Sequence, residues 1–472
     1  MSIKTLGKQS LIYGIGTILT RIVTFLLLPL YTNVFTTEEY GIVSLAYAFT
    51  GFVMIAYRYG MDSALMKYYI DSEGQDQKTY FTTIFSIQTL TSLIFSLFLF
   101  LAAGFFAPIF LGGAYARLMQ LVAIILFFDA LWMLPMLILR ANEKPRQYIS
   151  YSLLNVIILM GFNIYLVVFL KMGITGVLIG NIIASGGLLL ATLPIIIKNF
   201  SFRAISRSAL REVLKFGLPF FPAGIFTMIM ELSDRYLLEW LADTAAVGLY
   251  SAGNKLGMFG LLLVMGFNMG WTPYFLKTGK DSDAQQIFAR VSTYFLGLIG
   301  FFIVIISLWV SQLVQIKIGN STFFGEEFWS STQIVPIILL GYYFFGLYVL
   351  QLPGVFMTKK TKWVPFFRGV GAVLTIAVNV LLIPIFGIIG AATAKAIAFF
   401  GMSLSIFLFN QKYYPIPCFW RGILFPIIFL LVIIIVPMDL SAKIFVSILY
   451  PVLWITLIAN RNDRKRLLGL FK

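Results

Sequence analysis

The chain has 472 residues, 60% of them hydrophobic and 11% charged, with a mean hydropathy of +0.93 and a formal net charge of +16. A soluble domain carries about 25% charged residues, so this is the composition of a polytopic membrane protein with little chain left for a soluble domain. A single cysteine, Cys418, excludes an internal disulfide, and the absence of histidine removes the commonest proton shuttle and the usual transition-metal ligand.

The first apolar run, Leu11 to Phe35, is long enough to cross the ~30 Å hydrocarbon core of a bilayer. It is too long for the apolar core of a signal peptide and lacks a small-residue cleavage site, so it reads as a retained helix. Arg21 lies ten residues into it, near the midplane. A guanidinium there costs roughly 2.5 kcal/mol or more, so it must face a polar partner or a cavity. Two readings stand: an arginine satisfied by carbonyls or an acid within the bundle, or one that faces a substrate.

Further spanning segments follow at about 41–59, 81–104, 118–139, 149–170, 174–197, 214–238, 247–275, 288–315, 333–356, 364–386, 388–409, 420–437 and 441–460. The expected fold is therefore an all-α membrane protein of about 14 transmembrane helices. With the N-terminus in the cytoplasm, alternation puts most of the 35 Lys and Arg on the inner side. The outer side holds only Arg117, Lys171, Lys317 and Lys443. That split follows the positive-inside rule and places both termini inside. The basic excess is thus a topology signal and not the footprint of a nucleic-acid partner.

A repeat runs through the chain. Thr36-Thr37-Glu38-Glu39-Tyr40-Gly41 precedes the second helix, and Asp243-Thr244-Ala245-Ala246-Val247-Gly248 precedes the eighth. Asn163 with Gly173-Ile174-Thr175-Gly176 is echoed by Asn379 with Gly387-Ile388-Ile389-Gly390, at offsets of about 207–216 residues. Six helices per repeat keep both copies in one orientation, as in parallel transporter repeats. The expected organisation is an N-lobe over 1–199, a cytoplasmic linker over 200–213, a C-lobe over 214–410, and two further helices with a basic tail over 411–472.

No metal-ligand, paired-carboxylate or nucleotide-binding motif is present, and no cofactor is implied. The loops are too short for an enzyme domain, so the chain reads as a non-enzyme. What remains is charge at membrane depth: Arg21, Arg58, Arg235, Lys255 and Lys395 against Asp129, Glu231 and Asp234. The positive balance suits a dianion or a diphosphate, with Arg21, Arg58, Lys255 and Lys395 as the candidate ligands. Glu231 and Arg235, spaced i, i+4, are expected to pair, leaving Asp234 spare; the trio then either neutralises itself or couples an ion. Asp129 is equally an ion site or a partner for a basic residue. Lys395 matches Asn181 in the other repeat, so a polar packing site turned charged is its alternative role.

The opening, Gly7-Lys8-Gln9-Ser10 through Arg21, Pro29 and Tyr31-Thr32-Asn33-Val34-Phe35 to Glu38-Glu39-Tyr40-Gly41, resembles polysaccharide-biosynthesis membrane proteins, the O-antigen-type lipid-linked oligosaccharide flippases. Their superfamily also holds multidrug/toxin extruders and the lipid II flippase. The resemblance implies two lobes around a central cavity lined by helices 1, 2, 7 and 8, with Arg21, Arg58 and Lys255 as matching basic residues. Where the lipid II flippase has a further arginine on helix 1, this chain has the apolar stretch Phe25 to Leu28. The last two helices resemble the element that offers that flippase a groove for the polyprenyl tail.

The implied function is to flip a polyprenyl-diphosphate-linked oligosaccharide across the cytoplasmic membrane by alternating access, for cell-surface polysaccharide such as the O-antigen of lipopolysaccharide. The implied partners are that substrate, membrane lipids, and glycan polymerase and glycosyltransferases. A multidrug exporter is the first alternative, opposed by the positive balance of the buried charges. A membrane-embedded glycan polymerase or ligase, or a non-transporting scaffold, is the alternative from another class.

Overall fold

The computed structural model describes Arg21, residues 25–279 and residues 281–458. The helix expected over 11–35 therefore lies mostly outside the described residues; its end is α1, Leu27–Val34. The chain continues as α2 (Thr37–Arg58), α3 (Met61–Ile70), α4 (Gln75–Leu101), α5 (Ala103–Phe110), α6 (Ala116–Ala141), α7 (Pro145–Asn163), α8 (Gly173–Asn199), α9 (Arg207–Gly217) and α10 (Phe220–Leu241). Then come α11 (Thr244–Thr278), α12 (Ala284–Val314), a short hairpin pairing Lys317–Ile318 with Ser321–Thr322, α13 (Val335–Met357), α14 (Val364–Tyr413), α15 (Trp420–Ile435) and α16 (Leu440–Leu457).

Among the described residues, ten helical segments are long and apolar enough to cross a membrane, and the pair α9 and α10, bent by 42°, makes an eleventh if it is one span. One of the ten covers 53 residues, too many for a single crossing. Gly387, at φ 52°, breaks it into the two helices the sequence predicts over 364–386 and 388–409. With the shorter apolar helix α15, and with the run at 11–35 that the sequence predicts as a helix, the architecture is the all-α membrane fold of about fourteen helices. Helices are forced here because lipid offers no partner for a free backbone N–H or C=O.

Two compact units divide the chain, Met1–Gly248 and Leu249–Lys472. The first unit extends past the basic segment at 200–213 and includes α10. That helix packs along α2. Beside it Gly60, the residue before α3, at φ 84°, lies so close to Gly217, the last residue of α9, that a Cβ on Gly60 would overlap the Gly217 carbonyl oxygen. In the second unit α15 and α16 dock on α12. Tyr450 donates to the Gly297 carbonyl at 3.0 Å, and a Cβ on Gly297 would run into the Trp454 ring.

The repeated motif has a structural job in both copies. Thr36 caps α2 by accepting from the Glu39 N–H at 3.2 Å, while Glu39 accepts from the Thr36 N–H at 3.0 Å, which closes a capping box. Asp243 does the same work for α11, accepting from the Ala246 N–H at 2.7 Å. Five residues on, the glycines let the two capped ends touch. A Cβ on Gly41 would overlap the Thr244 carbonyl oxygen, and one on Gly248 would overlap the Thr37 carbonyl oxygen. The contact is reciprocal: each glycine receives the residue that follows the other helix's cap.

The later repeat signature behaves likewise. Gly173 and Gly387 both take positive φ, at 58° and 52°, opening a helix in each repeat. The buried Asn163 and Asn379 each donate to the carbonyl four residues back, Leu159 at 2.8 Å and Thr375 at 2.7 Å.

Gly41→Ala is expected to cost about 1–3 kcal/mol by overpacking at a backbone contact. Gly369→Ala, whose Cβ meets nothing within 4 Å, should be neutral or stabilising by up to about 1 kcal/mol through helix propensity. Thermal unfolding of the two purified variants side by side checks this; equal melting temperatures would refute the glycine contact.

Candidate functional site: charged and polar groups at membrane depth

Arg21 is half-buried, and its chain neighbours lie outside the described residues. Arg58 closes α2, also half-buried, with Asp62, Asp129 and Tyr148 as the groups that act on its charge. Its Nε–H is buried and has no hydrogen-bond partner among the described residues. Asp129, on α6, accepts from the Trp132 indole N–H at 2.8 Å and from the Ser185 hydroxyl at 2.5 Å. Ser185 lies 3.2 Å from Asn181 on α8, and Asn181 is hydrogen-bonded to the Tyr47 hydroxyl of α2. The first unit therefore gathers one cation, the carboxylates of Asp62 and Asp129, and a shell of neutral donors around α2, α6 and α8.

Tyr47, Trp132 and Ser185 escape a reading that looks for charges alone. The signal that would find Tyr47 is the repeat, which already relates Asn181 to Lys395. Position 47 shifted by 207, the offset relating Gly41 to Gly248, is Asn254; position 181 shifted by 214, the offset relating Gly173 to Gly387, is Lys395. In the second unit those two residues are bonded to each other: Lys395 Nζ donates to Asn254 Oδ1 at 3.1 Å. The side chain is only 2% exposed, and Nζ stands 5.8 Å from the Tyr250 ring centroid, within cation–π range. Both repeats thus place a polar contact at the same crossing, Tyr47 with Asn181 and Asn254 with Lys395. The lysine is held inside the second unit by that contact. Lys255, next to Asn254 on α11, is half-buried and likewise held by neighbours.

The charge pairing on α10 differs from the expected i, i+4 pair. Arg235 Nη1 bonds Asp234 Oδ1 at 3.1 Å, while from Glu231 it takes only the backbone carbonyl, at 3.0 Å. Asp234 is 1% exposed and Arg235 12%, whereas Glu231 is half-buried. The physical reason lies in burial: a desolvated carboxylate is tolerable only when compensated, so the guanidinium lies over the more deeply buried acid. Glu231, not Asp234, is the acid on this helix whose carboxylate has no ion pair or hydrogen bond among the described residues.

The described contacts thus sort seven of the eight candidates, all but Arg21, into local groups: Arg58 near Asp62 and Asp129, Asp234 with Arg235 beside Glu231, and Lys395 with Asn254 next to Lys255. Among the described residues no group of three His, Cys, Asp or Glu side chains is placed to hold a metal ion. Outside the spanning helices, burial pushes the thiol of Cys418 up, which keeps it protonated and unreactive at neutral pH.

A family model described as polysaccharide biosynthesis protein matches residues 6–278, more than half of the chain. The chain belongs to this family. Among solved structures, the lipid II flippase MurJ in an inward closed conformation superimposes with a TM-score of 0.72 at 19% identity, over 95% of this chain and 99% of MurJ. The MATE multidrug transporter DinF-BH aligns with a TM-score of 0.57 at 17% identity, over 90% of this chain and 97% of its own. An outward-facing multidrug resistance MATE transporter of the MOP superfamily gives 0.57 at 14% identity, over 87% and 94%. At these identities the likeness is one of fold. No curated protein matches the chain.

For the α10 ion pair, Arg235→Gln leaves the buried Asp234 carboxylate without its cation and is expected to cost roughly 3 kcal/mol or more. Asp234→Asn with Arg235→Gln should cost less than the sum of the single changes, and Glu231→Gln less than about 1 kcal/mol. Thermal unfolding of the four variants measures this. Additive single changes would mean that the pair is not coupled.

Proposed function

We propose that this family member flips a polyprenyl-diphosphate-linked oligosaccharide from the cytoplasmic to the outer leaflet of the cytoplasmic membrane, for cell-surface polysaccharide such as O-antigen. The observation that carries the reading is Arg58, a cation at the end of a spanning helix with a buried N–H that the described residues leave unsatisfied. A buried donor of this kind gains most from an anionic oxygen, and a diphosphate supplies several. Arg21 and Lys255 are the further cations proposed to meet it; Lys395 is proposed to act from behind them through Asn254. The sugar chain and diphosphate cannot cross hydrocarbon unaided, because desolvation of such groups is too costly. The polyprenyl tail stays in lipid.

In this reading the repeat sets the moving parts: an N-lobe over 1–199 and a C-lobe over 214–410, joined by the basic linker, with 411–472 as an appended pair of helices and tail. The lobes open alternately to each side, with both chain termini in the cytoplasm. Glycan polymerase and glycosyltransferases are the proposed neighbours in the pathway, before and after the flip. A family resting on multidrug transporters by fold leaves drug extrusion as the second reading, but the cation excess at membrane depth disfavours the cationic substrates such extruders take. Directional transport requires an energy source, and carboxylates are the side chains here able to couple a proton or sodium gradient. Because Asp234 is held by Arg235, the proposed coupling acid is Glu231, followed by Asp129.

Reconstituted into vesicles with a polyprenyl-diphosphate oligosaccharide, Arg58→Ala and Arg21→Ala are expected to lower flipping at least tenfold with normal protein abundance, while Arg21→Lys keeps part of the rate because charge persists without the bidentate fork. Unchanged flipping by both alanine variants would sink the diphosphate reading. Topology reporters provide an independent check: one fused at Lys472 should read cytoplasmic, and one in the 317–328 hairpin loop should read outside.

A further inference from the structure

A second basic constellation lies away from the charges discussed above. At the end of the first unit where α4 begins, α6 ends, α7 begins and α8 ends, a cavity of about 940 Å³ opens. Lys78, Lys144, Arg146 and Lys198 line it, and no carboxylate does. None of the four side chains has a hydrogen bond or ion pair among the described residues. The wall beneath them is ordered by a polar network. Tyr69 donates to Asn199 Oδ1 at 2.9 Å and receives Asn142 Nδ2 at 3.4 Å, while Gln77 donates to the Tyr69 carbonyl at 3.0 Å. Four cations line the hollow itself, while the acids next to them in sequence, Glu73, Asp76 and Glu143, are not in its lining, so an anion that enters relieves the repulsion among the cations.

The cavity's other edge is apolar and faces lipid. Leu154 lines it, and one turn further along α7 Ile157 is 63% exposed. On α8 the ridge leading to Lys198 carries the exposed Leu190, Leu193 and Ile197. A free phosphate would use the cations and leave this apolar strip without purpose. An amphiphile uses both. We propose that this cavity binds the headgroup of an anionic phospholipid of the surrounding bilayer, with its acyl chains lying along the exposed strips of α7 and α8. The volume holds a headgroup with more than one phosphate, and basic pockets between membrane helices suit such headgroups. A diphosphatidyl lipid therefore binds more tightly than one with a single phosphate. The site is distinct from the Arg58 and Asp129 cluster and does not depend on the transport reading.

The test uses the purified full chain in detergent, with native mass spectrometry counting retained lipid after exposure to mixed micelles of phosphatidylcholine and cardiolipin. The parent is expected to retain cardiolipin, and Arg146→Gln with Lys198→Gln to lose it about tenfold or more, since each surface cation near a headgroup contributes appreciably. All four positions are exposed, so neutralising them leaves the core intact. A control variant, Lys359→Gln with Lys362→Gln, removes equal charge elsewhere and should retain lipid as the parent does. Thermal unfolding provides the second readout: cardiolipin should raise the melting temperature of the parent and the control but not of the cavity variant. Equal retention by the parent and the cavity variant overturns the proposal. So does displacement of cardiolipin by millimolar glycerol phosphate, which would make the cavity a site for a soluble phosphate. Preference for a polyprenyl diphosphate over cardiolipin would overturn it too, by making the cavity a substrate site.

Discussion

The contact on which the first unit depends is backbone against backbone, where the capped start of α2 meets the capped start of α11. Helix N-termini carry unsatisfied N–H groups and partial positive charge, so two of them do not approach without help. Thr36 with Glu39 and Asp243 supply acceptors and negative charge at each end. Gly41 and Gly248 then remove the side chains that would hold the helices apart. One motif of six residues thus does two jobs, capping and close approach, and does them twice. Its duplication in the sequence is a consequence of the reciprocal contact, since each copy is the other's docking surface.

The same economy of partners governs the charges. In a medium that cannot solvate them, ionised side chains survive by pairing or by reaching polar neighbours. Asp234 is covered by Arg235, Lys395 by Asn254 and the Tyr250 ring, and Asp129 by Trp132 and Ser185. Against that background Arg58, with an N–H left over, and Glu231, with no ion pair among the described residues, stand out by chemistry rather than by residue type. These are the positions where an arriving anion or ion would gain something the bundle does not already provide.

Membership of the polysaccharide biosynthesis family and a fold shared with MurJ and the MATE transporters set the frame for that argument. The fold alone is compatible with carrying a lipid-linked glycan or a drug. The two differ in the charge of the substrate, and Arg58 keeps a buried N–H without a hydrogen-bond partner among the described residues. The four-cation cavity between α4, α6, α7 and α8 adds a second kind of basic surface, one bordered by exposed apolar side chains of α7 and α8.

Much of this architecture was legible in the sequence, because lipid imposes a simple rule on it. Apolar runs of twenty or so residues, and glycine at Gly387 between two such runs, follow from hydrocarbon thickness and backbone satisfaction, which act locally along the chain. The repeat was legible too, as Gly41 with Gly248 and Gly173 with Gly387. Pairing was not. Spacing assigned Arg235 to Glu231, yet depth of burial decided for Asp234, and burial is a property of how α10 packs on α2 rather than of its own residues. Lys395 read either as a substrate ligand or as a packing site turned charged, and only the crossing of α11 with α14 showed it bonded to Asn254. Tyr47, Trp132 and Ser185 carry no charge to draw notice, and their roles exist only where α2, α6 and α8 come together. Local physics wrote the helices into the sequence; which polar groups satisfy one another depends on distances across the bundle, and only the tertiary structure decided those.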